Sequence, residues 1–321
     1  MKAPLFLDET NLLRLLNPER LSQRMRESLA ALAIGAATHS SRHVMGINGG
    51  AFGMMAGMSP AALGAKLVCV LPGNEARGLN PHQGIVALFD SETGACLAVG
   101  DAATITALRT AATSAAATEA LSREESSVLT IVGSGLQAEL HATRILRLRP
   151  IIELRIVARD PVKAKTLKEK LAASNPSLKI QLHAAIEAAL PGTDILCLCT
   201  AAQFPYLTSA ALHTGLHVNA VGACRPGHRE IDLGSDASGI SFFVESLSAA
   251  REEAEELKGT FADTKASIVE IGNVFAGRHH GRKHQREITF FKSVGIGLED
   301  AEALRLAYDL HRTLNPSIRY A

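Results

Sequence analysis

The chain has 321 residues, 47% of them hydrophobic and 20% charged, with a formal net charge of +1. That length holds two domains, and that composition excludes bulk disorder. The balanced charge provides no field to gather nucleic acid or an anionic membrane, so the expected partners are small molecules.

The N-terminus carries no export signal. Pro4 to Leu7 is too short an apolar run, and Asp8 and Glu9 follow at once. Five cysteines (Cys69, Cys96, Cys197, Cys199 and Cys224) are scattered and lack metal-ligand spacing, so no metal is expected and a reducing cytoplasm fits best. Leu12 to Leu32 predicts an amphipathic helix, broken once near Asn17-Pro18. The uncharged window from Val44 to Ala65 is rich in glycine and reads as a mobile connection rather than a membrane span.

Beyond it the period becomes that of strands. Residues 66–70, 85–89 and 95–99 each predict one, the last two joined by the hairpin loop Asp90 to Gly94. Adjacent short strands of this kind are antiparallel in character. Asp101 then caps a long alanine-rich helix through Leu121. After Glu125 strands and helices alternate, with strands at 126–132, 153–158, 178–183, 194–199, 217–221 and 241–244 and helices at 135–147 and 161–173. Such alternation predicts an α/β fold with a Rossmann-type doubly wound parallel sheet. The last helix, about Leu298 to Leu314, is expected to return to the first domain. The expected domains are therefore 1–121 plus 296–321, an α+β domain with antiparallel sheet, and 122–295, which binds a dinucleotide.

The strand ending at Val132 runs directly into Gly133-Ser134-Gly135-Leu136-Gln137-Ala138, which opens a helix. Gly133 permits a tight turn, Gly135 lets backbone approach a pyrophosphate, and Ala138 allows close helix-strand packing. The helix N-terminus, at Leu136 and Gln137, would receive the phosphates. An acid at the end of the second strand would bind the ribose 2′-hydroxyl of NAD. This chain has Ala158, Arg159 and Asp160 there. Arg159 can pair with a 2′-phosphate, which favours NADP(H). NAD(H) stands as the alternative, with Asp160 serving the ribose or merely capping the helix that starts at Pro161.

On the substrate side, Lys66 opens an apolar strand and Arg109 sits in a helix of small residues. A cation in such surroundings must find an anion or solvent. A substrate carboxylate is one such partner, with Arg42 a third donor, and a structural ion pair is the plainer one. Cys224, just past a strand end, reads as pocket lining. His279, His280 and His284 read as a solvated basic loop.

The stretches Gly64 to Val68, Asp101 to Ala115, Val132 to Ala138, Asn219 to Ala223 and Phe291 to Gly295 resemble the ornithine cyclodeaminase/mu-crystallin family over essentially the whole chain. The resemblance implies a homodimer that pairs through the antiparallel sheet. It also implies that Arg42, Lys66 and Arg109 hold a substrate carboxylate beside the nicotinamide, and that Thr113, Asn219, Val221 and Ser293 lie near that ring. Cyclodeaminases carry an aspartate in the segment after this strand, where Cys224 stands here within Val221 to Pro226. The segment is similar to the ketimine-reductase pattern instead. The implied activity is NAD(P)H-dependent reduction of cyclic ketimine carboxylates such as pyrroline-2-carboxylate or piperideine-2-carboxylate to proline or pipecolate, with Lys66 and Arg109 at the reacting centre. The alternatives are an alanine-type dehydrogenase or linear imino-acid reductase, then a cyclodeaminase or a non-catalytic binding protein.

Overall fold

The computed structural model describes residues 3–225, 227–234, 239–262 and 267–316. Pro226, part of the segment that resembles the ketimine-reductase pattern, lies outside them. Packing divides the chain into two units: Met1–Ala112 with Gly295–Ala321, and Thr113–Val294. The chain leaves the first unit inside one helix and returns just after a strand. The sequence-expected boundaries stand at 121/122 and 295/296.

The first unit begins with β1 (Leu5–Leu7), α1 (Glu9–Leu15) and α2 (Pro18–Ala33). The expected break between the two helices is present because Asn17 caps α2, accepting from the amides of Glu19 and Arg20, with Pro18 at its first position. Then come β2 (Thr38–His39), β3 (His43–Ile47), β4 (Gly50–Met58), β5 (Leu63–Val70), β6 (His82–Phe89) and β7 (Cys96–Asp101). They form one sheet in the order β1-β7-β6-β5-β4-β2, with β3 also on β4. Every pairing is antiparallel except β1 with β7.

The window from Val44 to Ala65 is therefore not a mobile connection. It supplies β3, β4 and the start of β5. The glycines serve close packing: a side chain on Gly57 would strike the backbone of Leu298, so the C-terminal helix Gly297–Leu314 lies directly on β4. Leu298, Ala301 and Leu304 of that helix are fully buried, as are Val86 and Leu88 of β6. Each such leucine contributes about 1.5–3 kcal/mol by leaving water.

Asp101 caps α3 (Ala102–Leu121) as expected, its carboxylate accepting from the Thr104 amide at 2.7 Å. The second unit continues with β8 (Val128–Val132), α4 (Leu136–Leu148), β9 (Glu153–Val157), α5 (Pro161–Ser174), β10 (Lys179–His183), α6 (Ile186–Ala189) and β11 (Ile195–Leu198). After these come β12 (Leu207–Thr208), β13 (His217–Ala220), β14 (Ile231–Asp232), β15 (Ile240–Val244), α7 (Leu247–Glu253), α8 (Lys258–Ala262), β16 (Ile268–Glu270), α9 (Ile271–Phe275) and β17 (Ile288–Lys292).

Eight of these strands make a wholly parallel sheet, β10-β9-β8-β11-β13-β17-β15-β16. The order reverses between β8 and β11, which is where such sheets take their ligands. Leu129 and Ile131 of β8 pack with Ala138, Ala142 and Ile145 of α4 and with Leu154 and Ile156 of β9. Among the described residues no helix is long and apolar enough to cross a membrane.

Candidate active site

The glycine turn after β8 has the geometry its sequence predicts. Gly133 sits at φ 125°, and a Cβ there would lie 2.6 Å from the Cys199 carbonyl oxygen. Only glycine fits that conformation. Its amide donates to the Val157 carbonyl at 2.9 Å, tying the turn to β9. Gly135 is the N-cap of α4 with no side-chain hydrogen bond, and a Cβ on it would meet nothing within 4 Å. Leu136 is exposed, Gln137 half-buried, and Ala138 fully buried in the sheet-helix core. The turn thus fits a dinucleotide pyrophosphate: open space, uncapped amides and the positive end of a 13-residue helix.

Past β9, Asp160 caps α5, its Oδ1 accepting from the amides of Val162 at 2.9 Å and Lys163 at 3.1 Å. One oxygen of that carboxylate is engaged as the helix cap. Arg159, beside it, is exposed.

At the carboxyl ends of the strands beyond the switch point, Asn219 is fully buried and donates from Nδ2 to Thr118 Oγ1 at 2.8 Å. The Val221 amide donates to Leu198 O at 3.0 Å. Ser293 is buried and donates to Glu245 Oε1 at 2.5 Å. Thr113 is fully buried, while Cys224 is half-buried. The two neighbouring strand-end loops meet on Glu230, whose Oε1 accepts from Thr200 N at 2.7 Å and Thr200 Oγ1 at 2.6 Å. Its Oε2 accepts from Gly222 N at 2.8 Å. Burial pushes the Glu230 carboxyl up, opposed by those donors and by Lys292.

In the first unit the two singled-out cations come together. Lys66 lies on the same face of β5 as Gly64, against which the C-terminal helix packs at Ala301. Its Nζ is 2.8 Å from Asp300 Oδ2 and donates to Thr106 Oγ1 at 3.2 Å. Arg109 of α3 donates from Nε to Asp300 Oδ1 and from an Nη to Glu299 Oε2, each at 3.0 Å. Arg42 donates to the Gly295 carbonyl at 3.2 Å. Lys66 and Arg109 thus already have anions, and the plainer sequence expectation, a structural ion pair, describes their contacts. Burial pushes the Lys66 ammonium down to about 8; Asp300 opposes that shift, while Arg109 and Arg42 add to it. Burial alone would raise the Asp300 carboxyl, but Arg109 and Lys66 together hold it below the usual range.

The profile of the ornithine cyclodeaminase/mu-crystallin family matches residues 5–314, nearly the whole chain. The chain belongs to that family. Over 262 residues it is 35% identical to the ketimine reductase mu-crystallin of Mus musculus, spanning 81% of this chain and 80% of that one. Its fold is similar to that of an archaeal alanine dehydrogenase dimer with bound NAD, at TM-score 0.91 and 26% identity over 97% of both chains. It is similar too to the Δ1-pyrroline-2-carboxylate reductase of Thermococcus litoralis in complex with NADH and L-proline, at TM-score 0.89 and 28% identity over 99% of both chains.

Glu299, Asp300 and Glu230 stand out only in three dimensions. The Ile296 amide donates to Glu299 Oε2 at 3.0 Å, but with isoleucine at the cap position the sequence carries no capping-box signal. The basic loop residues His280 and His284 are exposed, and His279 packs edge-on against Phe243 with ring centroids 5.8 Å apart.

Proposed function

We propose that this chain is an NAD(P)H-dependent reductase of cyclic ketimine carboxylates, converting pyrroline-2-carboxylate or piperideine-2-carboxylate to proline or pipecolate. The observation that carries this reading is the buried convergence of Lys66 and Arg109 on Asp300, with Arg42 near enough to act on the Lys66 ammonium. Two buried cations held in place by one acid are oriented to receive a substrate carboxylate. Likeness to an imine reductase over most of the chain supports the reaction type.

The reduced nicotinamide, when bound, supplies a hydride to the imine carbon. The protein's part is orientation and charge. Arg42, Lys66 and Arg109 bind the carboxylate and so fix the adjacent C=N carbon. Protonation of the imine nitrogen makes that carbon electrophilic, and the C=N electron pair then settles on the nitrogen as the amine forms. Lys66, still an ammonium at neutral pH, holds the positive charge beside the carboxylate and can supply, through water, the proton that the imine nitrogen takes up. Cys224 stands in the segment where a cyclodeaminase carries its aspartate, so the chain lacks that acid there, and on this reading the residue serves substrate binding.

Gly133, Gly135, Leu136, Gln137 and Ala138 hold the pyrophosphate on this reading. Thr113, Asn219, Val221 and Ser293 serve the nicotinamide half. With Asp160 engaged as a helix cap, Arg159 is the residue left to read the 2′ position, which favours NADP(H) over NAD(H). The active species is a homodimer, as the alanine dehydrogenase with this fold is. The reducing cytoplasm suits its five free cysteines.

NADPH and NADH oxidation measured with pyrroline-2-carboxylate, beside pyruvate plus ammonia, tests the proposal. Turnover of the cyclic imine supports it; turnover of the oxo acid and ammonia alone replaces it with the second reading. That reading, an alanine-type dehydrogenase, is favoured by the likeness in fold to the archaeal enzyme.

A further inference from the structure

Glu230 is a fully buried carboxylate in the nucleotide-binding unit to which the reaction above gives no part. It stands just before β14, and Tyr206 stands just before β12; the two short strands pair in parallel, and the Tyr206 amide donates to the Glu230 carbonyl at 3.1 Å. The Tyr206 hydroxyl donates to Glu230 Oε1 at 3.0 Å. The same Oε1 takes both donors of Thr200, just beyond β11, while Oε2 takes the Gly222 amide, just beyond β13. One carboxylate therefore clips together two strand-end loops.

Those loops belong to the second half of the doubly wound sheet. In such sheets β8 to β10 take the first nucleotide of a dinucleotide, and the half beginning at β11 takes the second. We infer that Glu230 is the positioning residue for the nicotinamide half of the cofactor, fixing the Thr200 and Gly222 loops so that their backbone is ready when the ring arrives. A floor built in advance avoids an ordering cost on binding. The inference rests on a dinucleotide being bound and is independent of which imine is reduced.

Glu230→Gln keeps the shape but not the acceptors. Whichever way the amide turns, its NH2 group faces a donor, either Gly222 N–H or the Thr200 pair. Affinity for NADPH and NADH, read by their fluorescence on the apo protein, should fall at least about tenfold. Affinity for ADP, which probes only the adenine half held at Gly133 and Gly135, should stay within about twofold. Tyr206→Phe removes one donor, leaves the carboxylate in place, and should weaken the dinucleotides by about threefold, again sparing ADP. If Glu230→Gln does not fold, Tyr206→Phe and Thr200→Val decide by the same comparison. Unchanged dinucleotide affinity in the folded variants, or equal loss of ADP and dinucleotide, overturns the inference. Wild-type protein that binds both ligands but reduces no cyclic imine would sink only the ketimine reading.

Discussion

Oδ2 of Asp300 lies 2.8 Å from Nζ of Lys66, and both side chains are shut away from solvent. The other carboxylate oxygen holds Arg109 Nε at 3.0 Å, so one acid orients two of the three cations proposed to bind the substrate. Removing one partner from a buried pair leaves an uncompensated charge, which costs about 3–5 kcal/mol. Asp300→Asn should therefore destabilise the protein by that order in urea. The Lys66→Met/Asp300→Asn double variant should lose less than the two single losses combined, because the buried pair disappears as a unit. A double-mutant cycle by equilibrium denaturation checks this, and strict additivity would show that the contact does not couple the two residues.

The same pair sets a pH dependence. Burial holds Lys66 at about 8, below the ~10.4 of a free lysine. Between those values the unfolded chain binds more protons than the folded one, so Lys66 makes stability rise with pH across that window. The corresponding loss on acidification is complete below about 8, where Lys66 is charged in both states. Activity runs the opposite way, because the neutral amine no longer attracts a carboxylate. We expect kcat/KM for the imine to fall as pH rises past about 8. Lys66→Arg should be slower throughout but lack that fall, because guanidinium stays charged. A pH–rate profile of both proteins decides.

Much of this arrangement is legible in the sequence. The run from Val128 to Val132 leads straight into Gly133 and Gly135, then a helix and a second strand, and that order specifies the parallel sheet. Lys66 and Arg109 are conspicuous as cations in apolar surroundings. Their anions are not, because Glu299 and Asp300 read as the usual acidic first turn of a helix, favoured there by its dipole. Their burial comes from partners 190 and 191 positions away for the Arg109 contacts. Local pattern carries no trace of such a pairing. The glycine-rich stretch from Val44 to Ala65 misleads for a related reason. Glycine weakens an isolated strand, but at Gly57 its missing side chain is what admits the C-terminal helix.

The two glycines of the nucleotide turn should fail differently. Gly133→Ala puts a methyl group 2.6 Å from the Cys199 carbonyl at a φ of 125°, so it should lower stability, with backbone strain alone worth about 1–3 kcal/mol. Gly135→Val points into open space and should leave the melting temperature nearly unchanged. Its bulk stands where the pyrophosphate must approach, so NADPH binding should be lost. Thermal melts with and without NADPH separate the two effects. A Gly135→Val protein still stabilised by NADPH would place the phosphates elsewhere.

On the proposed reading, cofactor choice turns on Arg159. Asp160 spends Oδ1 on the amides of Val162 and Lys163, which ties its carboxylate to the start of α5. Arg159 is exposed, and a hydrogen bond from it to a phosphate is charge-assisted but screened by water and salt. Arg159→Ala should therefore weaken NADPH by about tenfold, a modest value for a charged hydrogen bond, while NADH changes by less than about twofold. The NADPH loss should shrink as salt is raised, because screening already weakens the contact in the wild type. Fluorescence titrations of both cofactors at low and high salt measure each quantity. Equal weakening of NADH and NADPH would mean that Arg159 supports the turn rather than reading the 2′ position.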